Sequence, residues 1–195
     1  MESIEHGGLT VKIEYDPFDN ECPLGWECGN GFEFVTFEHN SLLAEHHDYA
    51  DADDALAGAK EKGLAVFPLL KYEHGNVLYS VRGGYPFDCP WDSGQVGFVF
   101  VEAEAFDNAE KAAQGFCETV TQWCNGEIYH YTVEDAEGNH LDSCGGMYGF
   151  DYCRNEGIEA ADVEIKNIKK QRQDRLKRMI RARVPLHVRE RELGS

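Results

Sequence analysis

The chain has 195 residues, 42% of them hydrophobic and 12% aromatic, which suits a folded body with a real core and excludes a disordered acidic polymer. Its formal charge of −18 is segregated: residues 1–165 hold 33 acids against 7 bases, a net of −26, and residues 166–195 hold 11 bases against 3 acids, a net of +8. A body this acidic repels nucleic acid and anionic lipid, and it attracts proteins with basic clefts.

Alternation over Val11–Tyr15 and again over Phe32–Phe37 predicts two half-buried strands. The segment Asp16–Gly31 between them, rich in Pro, Gly, Asn and Asp, reads as a long loop holding Trp26. Asp51-Ala-Asp-Asp54 has the form of a capped helix start; Ala55–Lys62 continues the helix and Gly63 stops it. Ala65–Tyr72 and Asn76–Arg82 predict a hairpin around His74-Gly75, followed by an apolar central strand over Gln95–Glu102. A second helix starts with a capping box at Asp107-Asn-Ala-Glu110. Its Ala109, Ala113, Phe116, Cys117, Val120 and Cys124 share one face, and Asn125-Gly126 ends it. Glu127–Glu134 and Asn139–Tyr148 predict a second hairpin around Glu137-Gly138.

From Ile158 the apolar residues Ile158, Ala161, Ile165, Ile168, Leu176, Met179 and Ile180 recur at helical spacing among lysines and arginines, with Arg172 interrupting them, until Pro185 ends the helix. The pattern predicts an α+β fold: a mainly antiparallel sheet, two packed helices and a long basic C-terminal helix. Its expected organisation is an acidic α+β body over residues 1–157 and a basic amphipathic helix and tail over 158–195. That helix has three candidate partners: the acidic body, a second subunit in a homo-oligomer, or nucleic acid. Docking of its apolar stripe on the body, in cis or in trans, answers both charge and hydrophobicity.

The start Met1–His6 lacks the basic and apolar regions of a secretory signal, so none is expected. The longest apolar runs, 63–70 and 95–101, are too short to cross a bilayer. Seven cysteines without a CxxC pair (Cys22, Cys28, Cys89, Cys117, Cys124, Cys144, Cys153) suit free thiols in a reducing cytoplasm, and a cytoplasmic protein with no membrane partner is expected. Uniform acidification for life in high salt fits neither the cysteines nor the basic C-terminus.

The constellations with chemical potential are each weak. His39, His46, His47, Asp48, Cys22 and Cys28 lack the paired spacing of a structural zinc site, and neither a metal nor a cofactor is expected. In Asp88-Cys-Pro-Trp-Asp-Ser-Gly-Gln95 a nucleophilic Cys89 would need a neighbouring base or cation, whereas its neighbours are Asp88 and Asp92. The segment reads instead as a packed turn with Trp91 plugging the core and Val96, Phe98 and Phe100 on the core face of the strand that follows. The Gly-rich Asp142–Gly149 matches no phosphate-binding motif and reads as close backbone approach in a bulged strand.

Carboxylates are massed at Asp48, Asp51, Asp53, Asp54, Glu102, Glu104, Asp107 and Glu110. Duplex DNA presents one negative charge per roughly 1.7 Å of axis, a density that such a face imitates. These eight residues are the expected partner-binding surface, and the expected partner is a nucleic-acid-binding protein with a basic cleft. The acidic body itself is not expected to bind DNA.

Two stretches resemble a family of uncharacterised bacteriophage and prophage proteins. They are Pro86-Phe-Asp-Cys-Pro-Trp-Asp-Ser-Gly-Gln-Val-Gly-Phe-Val-Phe-Val101, and Gly126-Glu-Ile-Tyr129 followed by Asp142-Ser-Cys-Gly-Gly-Met-Tyr-Gly149. The resemblance covers roughly residues 9–153 and departs at Gly145, where the family pattern has an aromatic. It implies a phage or mobile-element setting without an established activity. The expected function is inhibition of a host defence system of the restriction or CRISPR type through a DNA-mimicking acidic surface. The alternatives are an accessory enzyme acting around Cys89, His74, Asp92 and Ser143, and a non-catalytic oligomeric scaffold or regulator. No catalytic residue is assigned.

Overall fold

A computed structural model of the chain describes residues 1–17, 22–25, 31–38, 43 and 47–193. The chain divides into two compact units, Met1–Pro17 together with Tyr129–Ser195, and Phe18–Ile128. Each unit is built on its own four-stranded sheet. The fold is α+β with antiparallel pairing in both sheets and a long C-terminal helix.

In the first unit, strands β1 (Glu2–His6), β2 (Leu9–Tyr15), β7 (Ile128–Glu134) and β8 (His140–Tyr148) lie in the order β1-β2-β7-β8. Alternation sorts the faces: Leu9, Val11, Ile13, Tyr131 and Val133 are buried on one side, and Lys12 meets Glu134 at 2.6 Å on the other. The buried face is covered by helix α3 (Phe150–Arg181), through Cys153, Ala161 and Ile165. Gly157 permits this approach, since a Cβ there would stand 2.8 Å from Val11 Cγ1 and 3.1 Å from Tyr131 Cβ. The boundary expected at residue 157 therefore lies inside one helix, whose stripe of Cys153, Gly157 and Ala161 runs across it. Docking is half realised: the proximal part of α3 packs on its own unit, while every residue from Lys166 to Arg175 is exposed. A turn at Arg183, with φ of 58°, and Pro185 lead into α4 (Leu186–Leu193).

In the second unit, β3 (Phe32–Thr36), β4 (Ala65–His74), β5 (Asn76–Ser80) and β6 (Ser93–Val101) lie in the order β3-β6-β4-β5. Helix α1 (Ala52–Lys62) covers one face, where Ala55 and Ala59 meet Val35 and Phe100. Helix α2 (Ala109–Cys124) covers the other, where Ala113, Phe116, Cys117 and Val120 meet Val99 and Val101. The expected arrangement of β6 is corrected accordingly. Phe98 and Phe100 do share a face, with Phe98 half-buried, but Val99 and Val101 are as buried as Phe100, because the strand is sandwiched by helices. A register shift at Leu69/Leu70 moves Val96 to the α2 side. Gly97 sits where a Cβ would collide with the Val35 carbonyl oxygen, so close strand approach demands the glycine.

The capping chemistry follows the sequence at α1, where Asp51 accepts from the Asp54 amide at 2.9 Å and Gly63 closes the helix with φ of 71°. At α2 the cap is Asn108, whose Oδ1 accepts from the Lys111 amide at 2.9 Å. The expected Asp107 lies one residue outside. In β8, Asp16 accepts from the Gly146 amide at 2.6 Å, and its Oδ2 would lie 2.5 Å from a Cβ at Gly145. The glycines of Asp142–Gly149 thus make room for a side chain.

Candidate functional site

The second unit, residues 18–128, holds 20 acids against 5 bases, a net of −15, and all eight expected partner-binding carboxylates lie in it. All eight are exposed. Their surroundings differ. Asp51 and Asp54 serve the start of α1, with Asp54 accepting from the Ala50 amide at 3.0 Å. Glu110 is held by Arg82 Nε at 2.8 Å, and with Asp107 it stands at the start of α2, the helix on the opposite face of the sheet from α1.

Asp48, Asp54, Glu102 and Glu104 border two clefts that share Glu33 and Lys62. One, of about 510 Å³, has Phe32, Phe34 and Phe116 in its lining and Asp48 and Asp54 among its polar groups. The second, of about 660 Å³, is lined by Glu102 and Glu104 together with Gly63 and Leu64. Between them Lys62 Nζ meets Glu33 Oε1 at 2.5 Å, and the Tyr49 hydroxyl donates to Glu33 Oε2 at 2.7 Å. Burial and the neighbouring Glu33 push the Tyr49 phenol up, and the bond to Glu33 does the same for the Lys62 ammonium. Tyr49 and Lys62 therefore keep their protons at neutral pH, and with Glu33 they form an ionic brace. His47 donates through Nε2 to the Thr36 carbonyl at 2.8 Å.

The loop joining β5 to β6 overturns the expected plug. Trp91 is 90% exposed, as is Tyr85. The loop is closed by its own backbone: Phe87 N donates to Gly84 O at 2.7 Å, Cys89 N to Pro86 O at 3.1 Å, and Ser93 N to Cys89 O at 3.1 Å. Ser93 Oγ donates to Phe87 O at 2.9 Å, and Glu73 N ties the loop to β4 through Asp92 O at 2.9 Å. With so many local bonds the turn needs no side-chain plug, and the two aromatic rings stand in solvent. A large exposed apolar side chain on an ordered loop is far more informative than an exposed carboxylate.

Asp92 also settles the geometry of the alternative catalytic constellation. Its Oδ2 accepts from Cys89 Sγ at 3.7 Å and lies 3.4 Å from His74 Nδ1. The carboxylate thus stands between thiol and imidazole, whereas a nucleophile needs its base in direct reach and the acid behind it. Ser143 belongs to the other unit and bonds His140 at 3.0 Å. Burial pushes the Cys117 thiol up to about 12 and the Cys124 and Cys153 thiols up to about 11, which keeps all three protonated and unreactive. Among the described residues no three His, Cys, Asp or Glu side chains are placed to hold a metal; Cys28, His39 and His46, like Trp26, lie outside the described residues. No helix is long and apolar enough to cross a membrane among those described.

Tyr85 and Trp91 are the residues sequence reasoning missed. A signal was present in the run Pro90, Asp92, Ser93, Gly94: turn-forming residues on both sides of a tryptophan place it on a surface loop. Comparison with protein families, curated proteins and solved structures finds no match to this chain.

Proposed function

We propose that the protein is a non-catalytic inhibitor whose acidic second unit occupies the basic nucleic-acid cleft of a host defence protein, in a phage or mobile-element setting. The observation that carries this reading is the pairing of exposed aromatic anchors, Tyr85 and Trp91, with a unit of net charge −15. Interfaces draw most of their energy from a few buried aromatic and arginine anchors, and charge complementarity supplies steering and specificity. The loop carries its own acids, Asp88 and Asp92, with Glu73 beside it, so a partner meeting Trp91 meets negative charge as well.

Glu102 and Glu104 lie at the opposite end of β6 from this loop, a nine-residue strand and roughly 30 Å away by strand rise. Carboxylates therefore extend along the unit on a scale comparable to a DNA-binding footprint. The accessory-enzyme reading is less favoured because Asp92 separates Cys89 from His74.

The test is capture of host proteins by the tagged chain at about 50 mM and about 200 mM salt, with duplex DNA as competitor. The expected result is a nucleic-acid-binding protein held at low salt and displaced by salt or duplex. Replacing Asp48, Asp53, Glu102 and Glu104 by Asn or Gln weakens its capture progressively, each exposed pair contributing about 0.2–1 kcal/mol. Undiminished capture by the fourfold variant contradicts the reading.

A further inference from the structure

Beyond Ile165, α3 outruns the sheet that its proximal half covers. Cys153, Gly157 and Ala161 are buried one turn apart, whereas each residue from Lys166 to Arg175 is exposed. From Lys166 to Arg178 the helix carries seven bases and one acid, Asp174, a net of +6 over roughly 20 Å of axis at the α-helical rise. At about 100° per residue, Lys166, Lys170, Arg178, Arg172 and Lys169 fall near 0°, 40°, 120°, 240° and 300°, so cations point to every side. Ile168 is 42% exposed, and Arg172 separates it from Leu176, so no apolar seam continues from the proximal half.

Leu176 is half-buried and Met179 buried beside the turn into α4, but from Lys166 to Arg175 the helix is an exposed rod with cations on most sides, and such a rod fits few partners. A flat protein surface neutralises one side only and leaves the others repelling one another. A coiled-coil partner requires a continuous apolar seam, and the same segment of a second copy brings like charge against like charge. The major groove of B-form DNA is about 12 Å wide, admits one helix and lines both of its walls with phosphates. Double-stranded RNA closes its major groove to such an element.

We propose that the distal part of α3, from Lys166 to Arg178, binds B-form duplex DNA by lying in the major groove, with its cations on the phosphates of both walls. The contact is to the backbone and is therefore indifferent to sequence. The acids of the proximal half, Asp151 to Glu164, do not forbid it. Asp162, which interacts with Lys166 and Lys169, and Glu164 offset part of the charge at the start of the segment, whereas Asp151, Glu156 and Glu159 lie more than about 8 Å away along the axis, where charges are screened at physiological ionic strength. This segment belongs to the first unit, and the proposal does not rest on the function proposed for the second.

The experiment is fluorescence anisotropy of a labelled duplex of about 20 base pairs with the full chain, between about 50 mM and about 200 mM salt. The wild type is expected to bind at low salt with an affinity that falls steeply as salt rises. The variant Lys166→Gln, Lys169→Gln, Lys170→Gln, Arg172→Gln is expected to bind at least about tenfold more weakly, with a log–log salt slope shallower by up to about 3.6. Circular dichroism should show unchanged helix content, since all four positions are exposed. Asp174→Asn, which removes the one acid of the segment, is expected to tighten binding about two- to fourfold. Host-protein capture by the fourfold variant should persist, which keeps failure here distinct from failure of the acidic-unit reading. The proposal is overturned if the wild type does not bind at about 50 mM salt, if the fourfold variant binds equally well, or if RNA duplex of equal length binds as tightly. It is also overturned by salt-sensitive self-association that the fourfold variant abolishes without any duplex binding, which would make an acidic surface of a second copy the occupant.

Discussion

The sheet of the second unit is covered on both faces, by α1 and α2, whereas the sheet of the first is covered by one helix that then runs on past it. The difference separates what folding requires from what it does not. In the second unit both apolar faces are satisfied internally, so the exposure of Tyr85 and Trp91 is not a leftover of packing. In the first unit α3 completes its structural task by Ile165, and the basic length beyond it contributes nothing to that core. Each unit therefore offers one surface that stability does not explain, one acidic and aromatic, the other basic.

Substitutions sharpen that contrast. Phe100 is fully buried between β6 and α1, and Phe100→Ala should lower stability by about 3–5 kcal/mol in urea unfolding. If it melts near wild type, the two-sided burial of the second sheet is wrong. Gly157→Val drives a branched side chain against Val11 and Tyr131. It should cost about 1–3 kcal/mol, with amide protection lost in β2, β7 and proximal α3 and retained in β4 and β6. Uniform loss across all of these strands would mean that the units unfold as one. Asp51→Ala removes the cap of α1 and should cost about 1 kcal/mol, whereas Asp48→Asn should stay within about 0.5 kcal/mol of wild type.

A further effect is alkaline. Cys117, Cys124 and Cys153 are held protonated by burial, with values raised to about 12, 11 and 11. Once pH exceeds the ordinary thiol value the unfolded chain releases these protons and the native chain keeps them, so stability falls as pH rises from about 9 and the decline levels off once the native thiols ionise. Thermal melts from pH 7 to 10 should show this decline, and Cys117→Ala should reduce its slope. A slope unchanged by that substitution would place the titration elsewhere.

Most elements were legible because their signals are local. The caps at Asp51 and Gly63, the apolar face of α2 and the glycine turns at Gly75 and Gly138 all lie within a few residues of what they control. Strand β1 was not legible. Glu2-Ser-Ile-Glu-His has one large apolar residue, Ile4, and is a strand because it pairs with β2 across Gly7-Gly8. The division into two sheets was equally hidden, since the pairing of β2 with β7 joins Tyr15 to Tyr129 across the whole second unit. Trp91 misled through its size: a large apolar ring is expected inside, and only the loop's own hydrogen bonds reveal that the interior does not need it. At the acidic face, composition located the carboxylates, but the capping work of Asp51 and Asp54 and the ion pair of Glu110 with Arg82 required coordinates.

The most direct measurement of the central claim is the affinity of Trp91→Ala for the host protein captured by the wild type, taken together with its thermal melt. An anchor exposed in the free protein and buried in the complex predicts an unchanged melt and a dissociation constant raised about thirtyfold, the effect of losing roughly 2 kcal/mol at a hot spot. A melt lowered as far as that of Phe100→Ala, or an affinity equal to wild type, would contradict it.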